Sequence, residues 1–168
     1  QVDSFRDTAA DLVSAFTMTY PEEAIGIVRA AQNAQMPVVI SFTVETDGTL
    51  PNGMSLQEAI RIVDKATNSG PAYYMINCAH PIHFDRVIIN QGDWAERIRG
   101  IRANASIMSH AELDEAETLD EGNPQDLGER VYILKQQLPQ LMILGGCCGT
   151  DHRHIEAICK VCSPISVS

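Results

Sequence analysis

Short apolar runs alternate with amphipathic stretches along most of the chain. The runs "DLVSAFT" (11–17), "PVVISFTV" (37–44), "AYYMIN" (72–77), "GIRANA" (100–105) and "LMILGG" (141–146) are nearly continuous in apolar residues, the pattern of strands buried on both faces. Helical periodicity follows. In 55–67, Leu56, Ala59, Ile60, Val63 and Ala66 fall on one stripe, with Ser55 as N-cap and Glu58 at the capping-box position. In 124–138, Leu127, Val131, Leu134 and Leu138 do the same, opened by Pro124 after Asn123. Pro21 opens a third helix over 21–35, with Glu22 and Glu23 where the helix dipole favours negative charge. Five such alternations predict an α/β fold with a parallel sheet and right-handed crossovers. The pattern leaves open whether the sheet is doubly wound or closed into a barrel. Neither GxGxxG nor GxxxxGK[ST] follows any strand, so the usual nucleotide-binding signatures are missing. In both architectures the C-terminal strand ends carry the chemistry. The acidic stretch "SIMSHAELDEAETLDEGNP" (106–124) lies on that same side, either as a lid or as a solvated insertion holding a short helix.

Charge and composition narrow the class. A net charge of -10 with twelve scattered basic residues argues against a nucleic-acid surface or an anionic membrane as partner, since both need clustered Lys and Arg. No apolar run approaches the length of a membrane span. The 168 residues suit one domain with one core. The N-terminus has neither an initiator Met nor a signal-peptide pattern, so a processed chain or, by preference, a piece of a longer one is expected. Five cysteines, an odd count, read as reduced thiols of a cytoplasmic protein rather than a disulfide framework.

Three of those thiols stand at strand ends: Cys78 in "INCAHP", and Cys147 and Cys148 in "LGGCCGT". Together they could supply three thiolates to one Zn2+, leaving the open fourth position of a catalytic site. Gly145, Gly146 and Gly149 would give the backbone the freedom that adjacent ligands need, and Thr150 and Asp151 would cap the next helix. Two other readings stay open from the residues alone: small buried hydrophobes in a tight turn, or a vicinal redox pair with no use for Cys78. Cys159 and Cys162 fit neither a shared metal nor that pair. On a helix over 151–162, Cys159 would lie roughly 12 Å or more from its start, and Ile155, Ile158, Cys159 and Cys162 form a core stripe. His80 and His83 are the next candidates for a fourth ligand or for acid–base work, although loop histidines more often line a pocket or face solvent. His152 and His154 are expected to be exposed, and no role is assigned to His110. Glu45 and Asp47 are the nearest acid–base candidates, although "TDGTL" reads more simply as a turn made by Asp47 and Gly48.

The element "GGCCGT" before a helix and the upstream "NC" with its nearby proline resemble the zinc-dependent homocysteine S-methyltransferase family. So do "PVVISFTVETDGTLPNGMSLQEAI" and "PEEAIGIVRAA". The resemblance covers about residues 11 to 160. It implies a (β/α)8 TIM-type barrel, of which this chain would hold the last five strand-helix units. Residues 1–168 would then be a single domain incomplete at its N-terminus, with sheet edges to be covered by the missing half or by an oligomeric partner. It also implies zinc on Cys78, Cys147 and Cys148, with homocysteine taking the fourth position through its sulfur. Its thiolate would take a methyl group from S-methylmethionine, S-adenosylmethionine or betaine to give methionine. Asn77, Thr17 and Asn104 are the substrate-binding candidates. Many members carry Glu-Thr where this chain has Phe16-Thr17, so another group must serve the substrate's ammonium or the acceptor is a different thiol. A metal-binding half-domain without catalysis and a vicinal-dithiol redox protein are the competing functions.

Overall fold

The computed structural model describes residues 1–89 and 92–163. Its elements run α1 (Val2–Arg6), β1 (Val13–Met18), α2 (Pro21–Asn33), β2 (Val38–Phe42), α3 (Leu56–Thr67), β3 (Tyr73–Asn77) and α4 (Pro81–Ile88). A 3-10 turn (Ala95–Arg97) follows, then β4 (Ile98–Ala103), α5 (His110–Glu115), α6 (Pro124–Gln137), β5 (Ile143–Gly146) and α7 (His152–Cys162). Every predicted strand and helix is present, with ends shifted by a few residues. No described helix is long and apolar enough to cross a membrane.

Local chemistry sets the helix ends. Ser55 Oγ accepts from the Glu58 N–H at 3.2 Å, and Asn68, in the left-handed region at φ 53°, ends α3. Asn123 Oδ1 accepts from the N–H groups of Gln125 and Asp126 ahead of α6. Ser109 and Glu112 form a full capping box on α5, which is why a short helix persists within the acidic stretch.

All five strands are parallel and lie in the order β1-β2-β3-β4-β5. A doubly wound sheet reverses its strand order at a switch point. The strictly sequential order here is instead compatible with part of a TIM-type barrel, the form in which each crossover adds the next strand on the same side. Ile40, Phe42, Tyr74, Ile76 and Ile101 share one buried cluster with Val28, Ile60, Val63, Phe84, Ile88, Leu127 and Val131 from the helices. By alternation and register the opposite face carries Ser41, Met75, Asn77, Gly100 and Arg102. Met75 lies so close over Gly100 that a Cβ there would meet its side chain at 2.8 Å.

Burial on both faces holds for β2 and, apart from half-buried Tyr73, for β3, while β4 exposes Arg99 and Arg102. β2 is buried throughout, whereas β1 and β5 carry exposed positions, with Met142 at 74% just ahead of β5. Each outer strand has a sheet neighbour on one side only. The expected core stripe of α7 needs correction for the same reason. Ile158 is buried and Cys162 packs on the core, but Ile155 and Cys159 are exposed, because α7 packs chiefly on α6 and on the edge strand β5.

The core predicts a clear contrast in stability. Ile60→Ala, at a position 1% exposed, should cost about 2–5 kcal/mol. Ile133→Ala, at 52% exposure on α6, should stay within about 0.5 kcal/mol. Urea unfolding of both variants checks this, and equal losses would contradict the burial pattern.

Candidate metal centre

The C-terminal end of β4 is the spacer of the site. β3 and β5 flank it, and their chain ends continue the parallel ladder past the strands onto residues 102–105. On one side the Cys78 N–H donates to the Arg102 carbonyl at 3.2 Å and the Asn104 N–H to the Ala79 carbonyl at 3.1 Å. On the other, the Cys147 N–H donates to the Ala103 carbonyl at 2.7 Å and the Ala105 N–H to the Cys148 carbonyl at 3.0 Å. Asn104, buried, adds a side-chain bond: its Oδ1 accepts from the Cys148 N–H at 3.1 Å.

Two turns then aim the thiols over this spacer. Cys78 adopts φ 54°, a left-handed conformation that non-glycine residues seldom take and that costs free energy. After the cysteine pair, Gly149 at φ 76° passes so near the acidic loop that a Cβ would stand 2.5 Å from the Asp120 carbonyl oxygen. Thr150 Oγ1 donates to the Cys147 carbonyl at 2.7 Å, and Asp151 caps α7 by accepting from the Arg153 N–H.

The result is a cluster that could hold a metal ion: the sulfurs of Cys78, Cys147 and Cys148 all lie within 4.8 Å of one another. Cys78 and Cys147 touch at 2.9 Å, a spacing at which two thiolates repel and one proton is shared. Either thiol can donate that bond; the bond and burial raise the pKa of Cys78. The same bond takes Cys147 down to about 5, against burial and with help from the Cys148 N–H. The short contact joins Cys147 to Cys78 rather than to its chain neighbour.

Asn77 organises the floor beneath. Its Oδ1 accepts from Ser41 Oγ at 2.6 Å and from the Thr17 N–H at 2.9 Å, while its Nδ2 donates to Thr17 Oγ1 at 2.8 Å. These bonds hold Thr17 at φ 62°, an outlier for a β-branched residue, where the register of β1 slips against β2. Beside it Phe16 packs under the Arg102 guanidinium at 5.1 Å.

The histidines divide among several roles, and one of them, His154, departs from expectation. His80 is buried, its Nδ1 near the Ile82 N–H, and burial followed by the charge of His83 lowers it to about 4. His83 Nε2 bonds the Ile107 carbonyl. Neither joins the thiol cluster. His152 is exposed as expected, but His154 is fully buried. Its Nε2 donates to the Glu121 carbonyl at 2.8 Å and its Nδ1 accepts from the Asp151 N–H at 3.1 Å, so it fastens the acidic loop to α7. His110, without a role in the sequence reading, has Nε2 on the Cys78 carbonyl at 2.6 Å and Nδ1 on Glu45 at 3.1 Å. Burial lowers its pKa, but the bonds to the Cys78 carbonyl and Glu45 prevail and raise it overall. No local motif marks such a contact, since it spans 32 residues to one partner and 65 to the other. Asp47 makes the turn: its Oδ1 accepts from Thr49 N–H and Oγ1.

The acidic loop thereby roofs a cleft of about 580 Å3, lined by Thr17, Thr43, Cys78, Asn104, Asp114 and Cys148 among others. The sequence profile described as "Homocysteine S-methyltransferase" matches residues 1–162. The chain belongs to that family. It is 26% identical to betaine--homocysteine S-methyltransferase 1 of Rattus norvegicus, in an alignment covering 98% of this chain and 42% of that protein. It is 24% identical to homocysteine S-methyltransferase 3 of Arabidopsis thaliana, over 97% of this chain and 46% of the relative. The chain thus spans less than half the length of these two family members.

His154→Ala should free the acidic loop. Limited proteolysis within 116–122 and amide exchange there should both speed up, while exchange in β2 and β3 stays unchanged. Unaltered protection of the loop would show that Glu121 is held by other means.

Proposed function

We propose that this chain forms the metal-bearing part of a zinc-dependent enzyme that moves a methyl group from a sulfonium or quaternary ammonium donor to the thiol of homocysteine, giving methionine. The observation that carries this reading is the convergence of Cys78, Cys147 and Cys148 in a chain of the homocysteine S-methyltransferase family. The donor set suits zinc. Sulfurs on a tetrahedral ion at ~2.3 Å stand roughly 3.8 Å apart, within the 4.8 Å spread of the three thiols. Three protein ligands leave one position for a substrate, and the cleft opens onto Cys78 and Cys148. When bound, zinc would supply the Lewis acidity that keeps a substrate thiol deprotonated at neutral pH.

The residues of the chain supply position. Asn104 fixes the backbone of Cys148, His110 that of Cys78, and the Asn77 network keeps the floor rigid. The acceptor sulfur forms a bond to the methyl carbon, and the bond from that carbon to the donor's cationic centre breaks. Its electron pair stays on the leaving sulfur or nitrogen, which becomes neutral. No proton has to be delivered to the leaving group, because it departs as a neutral sulfide or amine.

The five strand-helix units are read as part of an eight-stranded barrel. The sequential parallel order and the open edges at β1 and β5 support this, since further strands, from the same polypeptide or an oligomeric partner, would cover them. The five unbridged cysteines suit a reducing compartment such as the cytoplasm.

Zinc content after dialysis tests the metal site. The wild type should retain about one ion per chain, as one three-thiolate site requires, and Cys78→Ser and Cys147→Ser should each lose most of it. Retention by Cys78→Ser would show that the two strand ends do not share one metal. With the site intact, the full-length protein should methylate homocysteine from at least one sulfonium or betaine donor, and inertness toward all of them would refute the activity.

Asn104→Ala should weaken zinc binding by about 10–100-fold, the usual effect of removing a group that orients a ligand, with little change in thermal stability. Competition with a chromogenic chelator measures this. An unchanged affinity would remove Asn104 from the support of the site.

A further inference from the structure

Thr43 Oγ1 is the single buried side-chain nitrogen or oxygen among the described residues without a hydrogen-bond partner. Thr43 directly follows β2, is 3% exposed, and is held in place by its N–H bond to the Met18 carbonyl at 3.1 Å. Its side chain lines the cleft beside Cys78. A buried hydroxyl without a protein partner calls for an explanation, commonly a ligand or an ordered water that completes it.

The opposite wall says which ligand. Asp114 and Glu117 line the cleft from α5 and the segment after it, and neither forms a salt bridge among the described residues. Asp120 also lines it but is engaged by Ser106 Oγ and the Gly122 N–H. No Lys or Arg is among the lining residues. Both ring nitrogens of His110 are occupied. The free polar surface is therefore negative and rich in acceptors. Its complement is a compact cation with several N–H donors, which is a primary ammonium.

We propose that the cleft binds the α-ammonium group of an amino-acid substrate between the Thr43 hydroxyl and the Asp114 and Glu117 carboxylates. This rests on the reading that the site handles homocysteine. It also accounts for Phe16-Thr17, because the counter-charge expected at the end of β1 is supplied instead by the acidic loop. The ammonium could belong to the thiol acceptor or to an amino-acid sulfonium donor, and matched ligand pairs separate the two.

The test is calorimetric titration of the zinc-loaded full-length protein with homocysteine and 4-sulfanylbutanoate, which lacks only the amino group. S-methylmethionine and 4-dimethylsulfoniobutanoate, which likewise lacks only the amino group, form the donor pair. The wild type should favour the ammonium-bearing member of one pair by roughly tenfold or more, the size expected for hydrogen bonds to a charged group. Thr43→Val, of matching shape, should erase much of that preference without weakening the amine-free ligand, and Thr43→Ser should keep it. Asp114→Asn, at an exposed position that carries no folding risk, should reduce the same preference. A preference confined to the donor pair would place the donor's ammonium in the site. Equal binding within both pairs, or a preference untouched by Thr43→Val and Asp114→Asn, would overturn the inference while leaving the thiol site standing. Failure of the wild type to bind either thiol would remove the proposed function and this inference with it.

Discussion

The geometry of the thiol site depends on four backbone groups, from the three peptide units that join Arg102 to Ala105 at the end of β4. Adjacent strands lie about 4.8 Å apart, so ligands on β3 and β5 begin roughly 10 Å from each other. Only turns that bend inward over the intervening strand can bring their sulfurs together. The alternation of the parallel ladder makes this orderly: the Arg102 carbonyl and Asn104 N–H face one turn, and the Ala103 carbonyl and Ala105 N–H face the other. Small side chains at Ala103 and Ala105 leave space above the spacer. Gly149 shows how little there is, since a Cβ on it would sit 3.1 Å from that of Ala105.

The acidic loop is a second layer built on that spacer. It leaves β4 at Ser106 and returns into α6, and it is tied down on both sides of the cleft. His110 ties its first part to the Cys78 backbone, and His154 ties its last part to the N-terminus of α7. Between these ties, residues 113–119 are mostly exposed. The negative charge of the chain is thus not merely a solvated surface. Part of it is held over the thiols by two imidazoles whose ring nitrogens are spent on backbone and carboxylate partners.

The alternation of strands and helices was legible because it rests on periodicity and capping, which are local. Ser55, Asn123 and Asp151 cap the helices that their positions announce. The meeting of Cys78 with Cys147 and Cys148 was one of several readings open from the residues and was singled out only by the family resemblance, as strand order is a property of the whole sheet. The roles of His110 and His154 were not legible. Each side chain bonds a backbone carbonyl more than thirty residues away, and a carbonyl has no sequence signature. The exposure of Cys159 and Ile155 escaped for a related reason: periodicity identifies an apolar stripe but does not say whether a neighbour covers all of it.

The position of α7 bears on how a metal would be acquired. Four of the five thiols lie within residues 147–162, and the native partner Cys78 is 69 residues from Cys147. Closing the short loop between Cys148 and Cys159 costs roughly 1.5 kcal/mol less entropy than closing the long one. A metal meeting the unfolded chain would therefore be captured first by the wrong thiols. The helix over residues 152–162 leaves Cys159 outside the three-thiol cluster, so if the chain takes up a metal, winding of this last helix would dismantle that competing chelate.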